Sequence, residues 1–229
     1  MDHAPHLVRS PLRFNCPCSD DRAAALVTRL RRPGARLVDL GCGWGELLLD
    51  LADASEGARG VGVERRALYV SRARLRALGR HLEPRVAFVE GDASAYGESA
   101  DVLVAVGASG ALGGYPLFER LTARMAPGAS LLFAEAVWEA GAPAELRASM
   151  GELPSADDVA REAERAGLRA VHHARSTLAE WDAFEAGWRA PFEQSDEPAA
   201  RAFAAERRAR YEDGYRGRMG FGWWVFAAA

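Results

Sequence analysis

Lysine is missing from this chain: all 29 basic side chains among its 229 residues are arginines. With alanine abundant as well, this reflects a GC-rich coding sequence and carries no binding chemistry. An excess of positive charge is missing too, because 32 acidic residues face the arginines and the formal net charge is −3. Proteins that hold nucleic acid by neutralising phosphates need a cationic surface, so no nucleic-acid partner is expected. The local concentration Arg201, Arg207, Arg208, Arg210, Arg216 and Arg218 is interleaved with Glu206, Glu212 and Asp213 and reads as a solvated helix face. Cysteine is scarce. Cys16, Cys18 and Cys42 cannot make a disulfide framework. Cys16-Pro17-Cys18 has no Cys/His pair at ligand spacing, so no metal is expected, and Cys42 reads as a small turn residue. Long apolar runs are absent as well. The longest uncharged stretch, Val102 to Phe118, is broken by Gly107, Gly110, Gly113, Gly114 and Pro116 and cannot form a membrane-spanning helix. The start, Met1-Asp2-His3-Ala4-Pro5-His6, lacks the basic and apolar blocks of a secretory signal. The expectation is a soluble, cytoplasmic, reduced protein with no membrane partner.

What is present is a globular composition, 49% hydrophobic and 27% charged. The length suits one α/β domain, 1–229. Strands are read at 36–40, 60–64, 85–90, 101–106, 130–137, 169–176 and 220–227, with helices after the first two, at 115–125 and at 155–166. Ser155 with Asp158 three positions on marks a helix start, and Gly167 its stop. Repeated strand–helix units imply a doubly wound, mostly parallel α/β sheet. Residues 1–35, 138–154 and 178–218 fall outside that alternation, which otherwise occupies 36–177 and ends in the strand at 219–229. Within 178–218, Trp181, Phe184, Trp188 and Phe192 recur three and four apart, a helical stripe that suits packing onto the sheet as well as a pocket wall.

The strongest local signal is Val38-Asp39-Leu40-Gly41-Cys42-Gly43-Trp44-Gly45 at the end of the first strand. Glycines there let backbone pass close to a ligand and turn into a helix whose first amides carry partial positive charge. Glu64, with Arg65 beside it, ends the second strand where a carboxylate can accept both hydroxyls of a ribose. Glu90-Gly91-Asp92-Ala93 ends the third strand, and Val106-Gly107-Ala108-Ser109-Gly110 ends the fourth. All four lie at carboxyl ends of strands, the edge at which open α/β sheets bind ligands. A glycine turn followed by an acid also suits a dinucleotide, although the spacing here is GxGxG.

These four elements, in this order, resemble the class I S-adenosylmethionine-dependent methyltransferases, well over 36–137 and more loosely elsewhere. The resemblance implies a seven-stranded, Rossmann-like sheet whose last strand is antiparallel, with helical insertions as a lid. It implies S-adenosylmethionine as cofactor and S-adenosylhomocysteine as product. By the resemblance, Gly41, Cys42 and Gly43 pass beneath the methionine moiety and Asp39 organises its amino group through water. Glu64 holds the ribose, Asp92 and Ala93 meet the adenine, and Val106 and Gly107 border the sulfonium and the acceptor. Phe14-Asn15-Cys16-Pro17-Cys18-Ser19 resembles the lid of small-molecule methyltransferases, and the Asn/Asp-Pro-Pro-aromatic signature of amino-methylating DNA enzymes is absent after the fourth strand. A small-molecule acceptor is therefore expected. A methyltransferase-like protein that binds the cofactor as a non-catalytic partner remains the alternative.

Methyl transfer is an in-line displacement in which positioning and exclusion of water dominate and a general base is optional. Candidates for such a base are Glu135 on the fifth strand, Tyr115 after the fourth, and His172 or His173 on the sixth, of which alternation lets only one face the site. Trp138, Trp181, Trp188 and Tyr211, with Phe14 and Asn15, are the candidate acceptor-pocket lining; aromatic walls suit a flat or apolar molecule and can also embrace a cation.

Overall fold

The structure is a computed structural model that describes residues 3–151 and 153–229. Two helices, α1 (Ala4–Leu7) and α2 (Asp20–Leu30), precede the first strand. The alternation then runs β1 (Arg36–Leu40), α3 (Glu46–Ala54), β2 (Arg59–Glu64), α4 (Ala67–Gly79), β3 (Val86–Glu90), β4 (Ala100–Val106), α5 (Phe118–Thr122), β5 (Met125–Trp138), α6 (Ala144–Met150) and α7 (Ala156–Arg165). It closes with β6 (Leu168–Arg175), α8 (Leu178–Glu193), α9 (Pro198–Ala209) and β7 (Met219–Ala228). Among the described residues the strands form one sheet in the order β3-β2-β1-β4-β5-β7-β6. The first five pair in parallel, and β7 lies antiparallel between β5 and β6. From β1 the chain winds outward to β3 and then returns to β4 on the other side. The gap between the carboxyl ends of β1 and β4 is thus the topological switch point, where such sheets open a crevice.

Strand alternation divides the core into two layers. Leu37, Val104, Leu132, Phe221, Trp223 and Val225 face one side, where Leu26, Leu30, Leu48 and Val70 of α2, α3 and α4 cover them. Val38, Leu40, Leu103, Leu131, Phe133, Trp224 and Phe226 face the other, under Phe118 and Leu121 of α5 and Val159 and Ala163 of α7. A third cluster, Leu7, Trp44, Tyr69, Trp188, Phe192, Ala200 and Ala204, joins the N-terminal segment to α8 and α9. Among the described residues no helix is long and apolar enough to cross a membrane.

The start of α7 is the expected capping box: Ser155 Oγ accepts from Asp158 N at 3.2 Å and Ser155 N donates to Asp158 Oδ2 at 2.9 Å. The helix expected over 115–125 is much shorter. Pro116 biases Tyr115 away from helical backbone, Gly113 and Gly114 adopt φ of +85° and +74°, and only Phe118–Thr122 coils before β5 begins at Met125.

Candidate active site at the switch point

The crevice between β1 and β4 is a cavity of about 660 Å³, within the range of small-molecule sites. Its floor is the glycine turn. Gly41, Gly43 and Gly45 have φ of +76°, +55° and +79°, a region that side chains disfavour. A Cβ on Gly41 would come within 2.9 Å of Ala108 Cβ, so the turn is pressed against the β4 loop, whereas a Cβ on Gly43 would meet nothing within 4 Å and would project into open space. The turn closes with Gly45 N donating to Cys42 O at 2.9 Å, and α3 starts as Leu49 N donates to Gly45 O at 3.0 Å.

Three successive strands each deliver a carboxylate to this cavity: Asp39 from β1, Glu64 from β2 and Asp92 just beyond β3. Glu64 is buried and accepts from Gly43 N at 3.2 Å and from Arg66 N at 2.9 Å, which locks it to the glycine turn. Asp39 is buried beside it, and burial first, then the charge of Glu64, raises its carboxyl to about 8. Asp92 is exposed, accepts from Ser94 N at 2.8 Å and is held below the usual carboxylate range mainly by its hydrogen bonds with Ser94. Glu46 is a third buried carboxylate on this cavity but is ion-paired with Arg13, Arg76 and Arg80, and the remaining pair, Asp39 and Glu64, favours a cationic ligand. The open space over Gly43 leaves room for its backbone, and Glu64 still has acceptor capacity for hydroxyls. A cationic sulfonium nucleoside with an amino group fits this donor set.

The opposite wall is uncharged apart from Arg13, whose guanidinium is ion-paired with Asp20, Glu46 and Asp50. Phe14, Asn15, Gly107, Ala136, Trp181, Phe184 and Phe221 meet there, brought by the N-terminal segment, the ends of β4 and β5, α8 and β7. Cys16 joins them, its thiol pushed well up by its hydrogen bond with Cys18 and by burial. Among the described residues no group of three or more His, Cys, Asp or Glu side chains gathers as a metal site.

All ten residues expected on the cofactor side line this cavity: Asp39, Gly41, Cys42, Gly43, Glu64, Arg65, Asp92, Ala93, Val106 and Gly107. Phe14, Asn15 and Trp181 line it as well. Seven other candidates do not. Glu135 shares a sheet face with Leu131 and Phe133, away from cavity-lining Ala136; it is buried and accepts from Ser109 N at 3.1 Å and Ala136 N at 3.0 Å, steadying the turn after β4. Tyr115 packs on that same far face, its hydroxyl buried without a partner and its pKa pushed up by burial and by Glu135 and Glu162. His172 lies on β6, the outermost strand, with β7 and β5 between it and β4; its pKa is lowered by burial and by Arg29 and Arg22. His173 stacks on Trp224 at 4.8 Å.

Trp138 ends β5 in the core under Arg147. Trp188 stacks on Phe192 at 5.1 Å beneath Arg207. Tyr211 donates its hydroxyl to Asp182 at 2.7 Å and packs on Tyr215. The α8 stripe is split, with Trp181 and Phe184 turned to the cavity and Trp188 and Phe192 to the third cluster. Sequence reasoning missed Trp44, Tyr69, Arg13 and Phe221 as lining residues. Phe221 could have been found from the parity of β7, since it shares a face with Trp223 and Val225.

Comparison with known proteins agrees with this geometry. A family model described as a methyltransferase domain matches residues 37–127. The chain is similar to the uncharacterized protein YjhP of Escherichia coli (strain K12), with 30% identity over 94% of this chain and 93% of that protein. The X-ray structure of YjhP from E. coli superposes with a TM-score of 0.87 at 27% identity over the whole of both chains. Crystal structures of S-adenosylmethionine-dependent methyltransferases from Geobacter sulfurreducens and Thiobacillus denitrificans, both in complex with S-adenosylhomocysteine, give TM-scores of 0.86 and 0.85. Each is 25% identical and covers 100% of this chain and 99% of its own.

Proposed function

Because the chain belongs to the class I S-adenosylmethionine-dependent methyltransferases, with S-adenosylmethionine as its cofactor, we propose that it methylates a small, largely apolar acceptor held against the uncharged wall of the crevice. The observation that carries this reading is the division of one cavity into two halves. Carboxylates line the β1–β3 side, while Phe14, Trp181, Phe184 and Phe221 line the side of β4, β5 and β7.

When bound, the cofactor supplies a methyl group made electrophilic by a positively charged sulfur. The chain's own residues bind, orient and exclude water. In this reading Gly41, Cys42 and Gly43 give the backbone room to pass under the ligand, and Asp39 balances its positive charge. Glu64 accepts the ribose hydroxyls while it holds Gly43 and Arg66, with Arg65 alongside. Asp92 and Ala93 receive the base, and Val106 and Gly107 border the reacting centre.

Residues 13–17 and the first half of α8 act as the roof, contributing Phe14, Asn15, Trp181 and Phe184. The uncharged wall carries no carboxylate or imidazole, so the acceptor's nucleophile is presented by position, with water excluded. The test is transfer of labelled methyl from S-adenosylmethionine to a panel of small aromatic and aliphatic amines, thiols and phenols, set beside nucleic acid and protein. Label on a small acceptor is the expected result. Label on macromolecules alone would refute this reading of the acceptor.

A further inference from the structure

Trp44, the residue between the last two glycines of the turn, is not used by the cofactor reading, and its surroundings are unusual for a turn residue. Its ring leaves the glycine loop and enters the third cluster, edge-on to Tyr69 at 5.5 Å. The Arg72 guanidinium lies 4.1 Å over that ring, and the indole Nε1 donates to the carbonyl of Arg13. Arg72 in turn donates to the carbonyls of Leu7, Val8 and Leu12 at 3.3, 3.2 and 2.7 Å. Two side chains rooted in the glycine turn and α4 thus hold four carbonyls of the segment that leads into Phe14 and Asn15. The other end of this chain of contacts is Glu64, which accepts from Gly43 N.

We propose that Trp44 and Arg72 form a latch that couples occupancy of the cofactor half of the crevice to the seating of residues 7–16, and so to the assembly of the acceptor wall. The proposal rests on the placement of the cofactor over Gly43 and Glu64 given above. A ligand that engages Glu64 and packs over Gly43 restricts the turn, Trp44 moves only with the turn, and the Arg13 carbonyl and the Arg72 clamp carry the restriction to Phe14 and Asn15. Both residues are positioning residues. Coupling of this kind is reciprocal: the factor by which the ligand favours the seated segment is the factor by which seating favours the ligand, so a variant that removes the coupling loses at most that factor in cofactor affinity.

The test is amide hydrogen exchange of the full chain with and without saturating S-adenosylhomocysteine, in wild type, Arg72→Met and Trp44→Phe. The latter keeps an aromatic ring and drops the N–H. In wild type the ligand should slow exchange across residues 7–16 by about tenfold or more. In both variants that gain should fall below about twofold, β1 and β4 should stay protected, and ligand affinity should fall by no more than about tenfold. A merely structural role would loosen the segment equally with and without ligand and leave the gain intact. Should Arg72→Met fail to fold, Trp44→Phe decides alone. The latch is overturned if wild type binds the ligand with no gain over 7–16, or if the gain survives in the variants. Absence of any binding to folded wild type would instead overturn the cofactor placement, and the latch with it.

Discussion

Asp39 is the residue whose chemistry most depends on what fills the crevice. Its carboxyl sits at about 8 in the folded chain against about 3.9 in an unfolded one. The folded state therefore holds a proton that the unfolded state has released. Ligand-free stability falls as pH rises from about 4 to about 8, and the whole loss is in place above that. Asp39→Asn should match wild type near pH 4 and melt about 4 °C or more above it at pH 9. Calorimetry adds a second reading, because an ammonium-bearing ligand such as S-adenosylhomocysteine should expel close to one proton at pH 7, about the amount Asp39 holds there. Heats that do not vary with buffer ionisation would separate Asp39 from the ligand.

Glu64→Ala should weaken S-adenosylhomocysteine binding by about 1.5–3 kcal/mol through loss of charge-assisted hydrogen bonds. Gly43→Val should abolish it, since valine would both strain a φ of +55° and fill the space above the turn. Unchanged affinity in a folded Glu64→Ala protein would remove Glu64 from the site. These residues were legible in the sequence because a parallel sheet delivers strand ends to one edge regardless of packing detail. Glu135 was misread although its parity with Leu131 and Phe133 was available. Trp44 was hidden because a glycine turn says nothing about where its one large side chain goes.

At the scale of elements, the roof depends on how α2 meets α8. Glu180 closes the capping box at the start of α8, accepting from Thr177 N at 2.7 Å. It also accepts from Ser19 N at 3.0 Å and Ser19 Oγ at 2.8 Å, and from Arg22 Nε at 2.7 Å. One carboxylate thereby ties the N-terminal ends of two helices together. Burial pushes Glu180 up, but the hydrogen bonds from Arg22, Thr177 and Ser19 outweigh it and bring its carboxyl to about 2.

A depressed folded pKa means that the stabilisation is present above the ordinary glutamate range and is lost as pH falls through about 2. Glu180→Ala should cost about 2 kcal/mol near neutral pH, with a flatter loss of stability in acid, measured by denaturant unfolding at several pH values. Wild-type stability in that variant would break the link. Periodicity located α8, and turn chemistry located α7 to within a residue. Neither could say that β6 would sit at the outer edge, which takes His172 away from the crevice, or that α8 would divide its aromatic stripe between two clusters.

For the whole molecule, the reversal of strand order between β1 and β4 places the glycine turn, Glu64, Asp92 and Gly107 around one cavity. That much follows from strand–helix alternation and the four strand-end motifs. The uncharged wall followed only in part: Phe14, Asn15 and Trp181 were expected there, but Phe184 and Phe221 were not, because the wall is assembled from the N-terminal segment, α8 and β7, which are distant in sequence and meet only through tertiary packing. The most direct measurement is calorimetric titration of the folded protein with S-adenosylhomocysteine and NAD in parallel. Saturable binding of S-adenosylhomocysteine with no competition from NAD is the predicted result. Binding of NAD, or of neither, would contradict the assignment of the crevice.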